Sequence, residues 1–266
     1  MRQQHRGEKV SLRKGSSIEF SDYREYLKGD DIRSIDWNAY ARSERLYLKL
    51  FLEEESRPIS LIVDRSESMN FGSPSKFEYA LSLACCLTYI SLNHYDRPEV
   101  MLLQNKDFQR YRFGSMKQFF PLMNRLENVI PGGETYLNAT LKKLAGAGRP
   151  GICFLFSDFY SPDGYDALKL FSVRGNEIHC LQILSPEEIA PDFRGDLKLV
   201  DSETSVNAEV SMSPQVLKRY MARLRGLQDS IKKTAAHSFA SFSIISTATP
   251  LEDLILRDMR RSGLVS

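Results

Sequence analysis

Two short apolar runs constrain this chain more than anything else in it. Residues 59–63 and 152–156 are too short for core helices and too uniformly apolar for strands with one wet face. Runs of this kind are strands buried on both sides, and such strands belong to parallel sheets covered by helices. The segments between them supply the helices. Residues 76–93 place Phe77, Ala80, Leu81, Ala84, Leu87 and Ile90 at the helical period. Residues 137–144 form a short helix that ends near Gly146 and Gly148, and residues 165–173 form another. Ser115 is expected to cap a helix whose apolar face carries Phe119, Leu122, Met123 and Leu126. Residues 100–103 and 108–112 read as a hairpin around 105–107, residues 178–184 as a further strand and residues 242–245 as the last. A helix over 250–261 closes the chain. Strand and helix in alternation predict an α/β fold, a mostly parallel sheet with helices on both faces.

The flanking regions differ in texture. Residues 1–57 are charged, with both signs interleaved, and hold one clear strand at 46–52, where leucines alternate with Tyr47, Lys49 and Phe51. We divide the chain into an N-terminal β-containing segment, 1–57, and a main α/β domain, 58–266. A β-hairpin insertion at about 186–212 interrupts the second, its arms 197–200 and 206–210 joined through 201–204. The strand at 46–52 and this hairpin are expected to share a small β-rich subdomain. Ser213 and Pro214 then open a long helix as N-cap and first-turn proline, with Leu217, Tyr220, Met221, Leu224, Leu227 and Ile231 along one stripe. Its Lys218, Arg219, Arg223, Arg225, Lys232 and Lys233 read as a solvated face.

Composition narrows the function. With 36 basic and 34 acidic residues, the net charge of +2 is too small for a protein that works by neutralising nucleic-acid phosphates. Cys85, Cys86, Cys153 and Cys180 lack metal-ligand spacing and read as reduced thiols, which fits a cytoplasmic protein. The first residues are polar and basic without the apolar core of a signal peptide. No stretch approaches the ~20 apolar residues of a membrane span. His5, His94, His179 and His237 are scattered, with no nucleophile near them in a known pattern.

Chemistry concentrates where the apolar strands end. Asp64-Arg65-Ser66-Glu67-Ser68 follows the first, and alternate residues Asp64, Ser66 and Ser68 can turn to one side. Asp158 follows the second through Ser157. In open α/β sheets, ligands collect at the carboxyl ends of strands. Two carboxylates brought together there repel unless a positive charge joins them. Mg²⁺ suits such a place, because it takes few carboxylates and fills its octahedron with neutral oxygens. Gly132-Gly133 lets a third loop approach and present the Thr135 hydroxyl.

The order and spacing of Asp64-x-Ser66-x-Ser68-Met69, Gly133-Glu134-Thr135 and Ser157-Asp158 resemble the metal-ion-dependent adhesion site of von Willebrand factor A domains. The resemblance implies a von Willebrand factor A-like, Rossmann-like fold. It also implies that Asp64, Ser66, Ser68, Thr135 and Asp158 bind Mg²⁺, with Mn²⁺ or Ca²⁺ as substitutes. One position is left for an acidic side chain of a protein ligand. Residues 19–26 (EFSDYREY), 29–37 (GDDIRSIDW), Ala41-Arg42 and Lys49 are similar to the opening signature of a bacterial family catalogued as domain of unknown function 58. Residues 184–188, 195–204 and 249–253 are similar to its tail. Members are often encoded beside MoxR-type AAA+ ATPases, which implies such an ATPase as partner and this chain as its adaptor. The chain has no Walker A motif of its own.

Other readings stand beside this one. Arg65 and Glu67 should face away from the metal; an Arg65 folded over the site would replace the cation electrostatically. In residues 30–37, Arg33 and Asp36, with Arg42, can form ion pairs, and Trp37 can anchor packing; a surface for the ATPase is the alternative. A Mg²⁺-dependent phosphohydrolase would also use an aspartate after the first strand, but its general acid belongs two residues on, where Ser66 stands. A structural domain with an empty site is the third reading.

Overall fold

A computed structural model describes residues 18–53, 58–191, 195–200 and 207–259. The chain forms two compact units, Met1–Ser56 and Arg57–Ser266.

In the first unit, β1 (Ile18–Glu25) pairs antiparallel with β2 (Tyr47–Glu53), with a register shift between Phe20 and Asp22. Only β2 was expected from the sequence. Between them lie a 3₁₀ turn, Ile32–Ser34, and α1 (Trp37–Ser43). Asp36 organises this connection. Its Oδ1 accepts the Asn38 and Ala39 amides at the start of α1, while Oδ2 accepts the Tyr23 hydroxyl at 2.9 Å and lies 3.2 Å from Lys49 Nζ. Desolvation would raise this carboxyl, but the Tyr23, Lys49 and amide hydrogen bonds outweigh it and bring it down to about 2. Of the residues expected to form ion pairs, Arg33 pairs with Asp31 and Asp36 with Lys49, while Arg42 donates to the Asn38 carbonyl. Trp37 is 61 % exposed and meets only Tyr40 edge-on among described rings, so it does not anchor packing.

The second unit begins with β3 (Pro58–Asp64), α2 (Lys76–Asn93), β4 (Arg97–Gln104) and β5 (Asp107–Arg112). Next come α3 (Phe119–Glu127), α4 (Leu137–Ala145), β6 (Ile152–Ser157), α5 (Ala167–Val173) and β7 (Glu177–Leu184). The chain continues through α6 (Pro186–Ile189), β8 (Gly195–Val200), β9 (Asn207–Met212), α7 (Pro214–His237) and β10 (Ser241–Ser246). It closes with α8 (Leu251–Asp253) and a π-type turn, Leu254–Met259. Six strands form one sheet in the order β10-β7-β6-β3-β4-β5, parallel except for the β4–β5 hairpin.

Strand residues alternate between the two faces, and each face is covered. Leu61, Val63, Leu102, Phe154, Phe156 and Ile183 pack with the apolar sides of α2 and α3. Ile62, Met101, Leu103, Cys153, Leu155 and Cys180 pack with α4, α5 and Ile231 of α7. Burying such a side chain contributes about 2 kcal/mol, so the stability resides in the sheet centre and its upper rim can hold polar groups. All four cysteines are free thiols, and burial pushes the Cys180 thiol up to about 12.

Several local expectations need correction. Ser115 precedes a short 3₁₀ turn, Met116–Gln118, and its hydroxyl caps nothing; the Gln118 side chain instead accepts the Gly114 amide. The strands β8 and β9 pair with each other, and β2 pairs with β1, so the hairpin and β2 lie in separate sheets. The turn expected at 201–204 lies outside the described residues, as do residues 1–14 and the end of the helix expected to 261. The basic residues of α7 are exposed, as a solvated face requires.

The lower end of the sheet leaves no room for variation at Gly151. A Cβ there would lie 2.0 Å from the Pro58 carbonyl oxygen. Gly151→Ala should therefore lower stability by about 3 kcal/mol, read by urea unfolding; a loss under about 1 kcal/mol would show that β3 and β6 can part there without penalty. Asp36 makes a second prediction. Its folded value lies below the unfolded value of about 3.9, so its contribution is present above pH 4 and lost as pH falls toward 2. An NMR titration of the Asp36 carboxyl should show that low midpoint, and it should move toward the ordinary range in Lys49→Met.

Candidate metal centre

The strand order reverses between β3 and β6. From β3 the chain moves through α2 to β4 on one side, then crosses to β6 on the other. A crevice opens at such a switch point, beyond the carboxyl ends of the strands. Val63 is in register with Phe156, so Asp64 and Ser157 emerge side by side.

Their side chains join directly. Ser157 Oγ donates to Asp64 Oδ2 at 2.6 Å, and the Ser66 amide donates to Asp64 Oδ1 at 2.9 Å. Ser66 Oγ and Ser68 Oγ lie 3.0 Å apart. Asp64, Ser66, Thr135 and Asp158 are all buried, and Ser68 is half-buried. Burial first, and the charge of Asp158 second, push the Asp64 carboxyl above its ordinary value; the Ser157 and Ser66 hydrogen bonds oppose them. The Thr135 hydroxyl lies close enough to Asp64 to join that opposition, yet it has no partner in normal hydrogen-bond geometry.

The loop carrying Thr135 is fixed from several sides. The Gly132 amide donates to the Arg65 carbonyl and the Glu67 amide to the Gly133 carbonyl, both at 2.9 Å. The Asn105 and Tyr136 amides exchange hydrogen bonds with the backbone across the loop, in a bridge between Asn105 and Thr135. Gly133 has φ +75°, and a Cβ there would meet Asn105 Oδ1 at 3.1 Å, so the backbone requires glycine. Ser161 Oγ donates to the Thr135 carbonyl, and Asp163 accepts the Asn138 and Ala139 amides at the start of α4.

On the β6 side, Phe159 takes φ +64°, an unfavourable conformation for a bulky side chain that costs about 1 kcal/mol. Its buried ring packs edge-on against Tyr165 and Phe242, which holds the turn. The Tyr160 amide donates to Asp158 Oδ1 at 3.0 Å.

The positive charge of the site comes from an unexpected residue. Lys76, at the first position of α2, is 1 % exposed, and its Nζ lies 2.8 Å from both Asp158 Oδ2 and Glu188 Oε1. Burial alone would depress this ammonium, but the Asp158 and Glu188 carboxylates outweigh it and hold it above the ordinary lysine value. Arg65 instead donates through Nε to the Ile130 carbonyl at 2.9 Å, away from the carboxylates. The structure thus brings together all five residues singled out in the sequence and adds Ser157, Lys76 and Glu188. The capping-box spacing of Ser185 and Glu188 is a local signal for the place of Glu188, whereas nothing local marks Lys76.

These donors can be tested against the cation they resemble a site for. Among the described residues, no three His, Cys, Asp or Glu side chains cluster to hold a metal. The donor set is two carboxylates with neutral hydroxyls, and one hydroxyl, Thr135, is buried without a hydrogen-bond partner. That suits a hard divalent ion. A buried polar group of this kind otherwise carries a desolvation cost.

A second cluster lies at the opposite, amino end of the strands. His179 Nδ1 is 2.8 Å from Ser241 Oγ, and its Nε2 is 3.3 Å from Glu177. The sequence did not suggest this grouping; it follows from the register of β7 and β10. Burial lowers the His179 value, against Glu177, and so favours the neutral ring.

A model of the family described as "Protein of unknown function DUF58" matches residues 22–229. The chain belongs to the DUF58 family. An uncharacterized protein of Mycobacterium bovis and its counterpart in Mycobacterium tuberculosis are each 24 % identical over 216 residues, which cover 78 % of this DUF58 chain and 68 % of theirs. The crystal structure of BatB from Bacteroides thetaiotaomicron is similar at 13 % identity and a TM-score of 0.50, over 78 % of this chain and 99 % of that one. The SpRpn10 VWA domain is similar at 12 % identity and a TM-score of 0.44, over 76 % and 94 %. This DUF58 chain shares the fold of the BatB structure, and its six-stranded, mostly parallel sheet is covered by helices on both faces.

The unpartnered hydroxyl makes a prediction of its own. In metal-free buffer, Thr135→Val should leave stability unchanged or raise it by up to about 1 kcal/mol, because it removes a buried polar atom that has no hydrogen bond of normal geometry. Urea unfolding in EDTA measures this, and a loss above about 1 kcal/mol would mean that the hydroxyl is satisfied in the folded protein.

Proposed function

We propose that this chain is a metal-dependent protein-binding module. Asp64, Ser66, Ser68 and Thr135 would hold Mg²⁺, with Asp158 bound directly or through water, and Mn²⁺ or Ca²⁺ as substitutes. The observation that carries this reading is the convergence of two buried carboxylates and three hydroxyls at the switch point, one hydroxyl without a hydrogen bond of normal geometry. When bound, the cation would supply a Lewis-acidic position for a carboxylate of the protein ligand. The chain's own part is to hold its oxygens in place beforehand. Ser157 and the Ser66 amide orient Asp64, and the Gly132 and Glu67 backbone bonds hold the Thr135 loop.

Family membership supports a MoxR-type AAA+ ATPase as working partner, with this chain as adaptor in the assembly or remodelling of another complex. The exposed Leu27, Ile32, Trp37 and Tyr40 of the first unit offer an apolar surface for it. Four free thiols support a cytoplasmic setting. No helix among the described residues is long and apolar enough to cross a membrane. The phosphohydrolase reading is weaker, because Ser66 occupies the place of the general acid and shares its hydroxyl with Ser68.

Calorimetric titration with Mg²⁺ and Mn²⁺ tests the reading. Saturable binding is expected in the wild type and should fall at least tenfold in Asp64→Ala/Ser66→Ala, with both proteins shown folded by circular dichroism. Equal binding in the two would place the metal elsewhere. Pull-down of a MoxR-type ATPase should then require Mg²⁺ and fail in EDTA, and Trp37→Ala should weaken it.

A further inference from the structure

We propose that Lys76 is a built-in competitor for the cation of this site, holding Asp158 while no metal is bound and passing to Glu188 alone when one is. The inference rests on the metal reading above and adds to it a way of regulating occupancy.

The geometry has three parts. First, Asp158 Oδ1 is engaged by the Tyr160 amide, and Oδ2, the oxygen left free by the backbone, is the one Lys76 holds at 2.8 Å. A cation recruiting Asp158 therefore meets an ammonium already there. Second, the ammonium has somewhere to stay. Glu188 Oε1 also lies 2.8 Å from Nζ, so releasing Asp158 does not strand a buried charge without a partner. Third, Glu188 is held in place. Its Oε2 accepts the Ser185 amide at 2.8 Å, and its carbonyl accepts the Tyr220 hydroxyl at 2.9 Å.

The arrangement separates folding from metal binding. Many metal sites leave their carboxylates uncompensated until the ion arrives, so that metal binding and folding are one event. Here the ammonium already offsets the charge of Asp158 in the metal-free protein. The consequence is a site with weakened intrinsic affinity, whose occupancy depends on the extra carboxylate brought by a protein ligand.

The test compares Mn²⁺ and Mg²⁺ titrations of the full chain as wild type, Lys76→Met and Glu188→Gln, each with a thermal melt. Lys76→Met should bind at least tenfold more tightly than wild type. Glu188→Gln should bind at least threefold more weakly, because Lys76 then has Asp158 as its sole carboxylate. The Lys76→Met gain should persist at 0.5 M salt, since competition for one buried oxygen is screened far less than a distant charge (a length of about 4 Å at that salt). Should Lys76→Met fail to fold, the Glu188→Gln titration decides. Equal affinities in the folded proteins, an affinity rise in Glu188→Gln, or a gain abolished by salt would overturn the role of Lys76 and leave the metal site standing. No binding in any of the proteins would overturn the metal reading itself, and the inference with it.

Discussion

Two carboxylates that leave adjoining parallel strands at the same level cannot both stay ionised in a dry crevice without a positive charge beside them. The upper rim of this domain is arranged around that constraint. Asp64 is restrained by Ser157 and the Ser66 amide, and Asp158 is paired with Lys76. Lys76 is itself in an awkward place, since a cation in the first turn of a helix opposes the dipole by about 0.5 kcal/mol. The capping box of Ser75 and Glu78 and the acidic Glu78 in that turn offset the penalty.

The remaining rim is built for position. Backbone hydrogen bonds tie the Thr135 loop to the segments after β3 and β4, and the short side chains of Ser157, Ser161 and Asp163 tie the loop after β6 to them. Gly133 and Phe159 adopt left-handed conformations on either side, one because glycine allows it and the other because aromatic packing holds it. Hydroxyls anchored to such a frame lose little freedom when a ligand engages them, which is the physical content of preorganisation.

The legibility of the sequence followed burial. Strands β3, β6 and β7 and helix α2 were found to within about a residue, because a doubly buried strand or a long helical period leaves a pattern that few other structures share. Strand β1 was missed because its register shift between Phe20 and Asp22 breaks the period of two on which a strand is recognised. Helix α6 has four residues, too few for any period. Trp37 was misread for a different reason: a large aromatic is a core residue by composition, and nothing local says that it faces outward. The five residues of the crevice were legible as a motif. Lys76 was not, because within α2 it resembles any solvated lysine, and its burial is set by residues on β6 and α6.

The bonds that complete the crevice join residues remote in sequence. Ser157 and Asp64 are 93 positions apart, Lys76 and Asp158 are 82, and Lys76 and Glu188 are 112. Closing loops of that length comes late, after local helices and the β4–β5 hairpin have become available. A chain emerging from the ribosome therefore passes its first aspartate and its lysine long before it has made their partners. Until residue 158 has been made the repelling pair does not exist, and no site is present to trap a stray cation. The crevice comes into being as a by-product of pairing the central strands, and its integrity reports that residues as far on as Glu188 have reached their places.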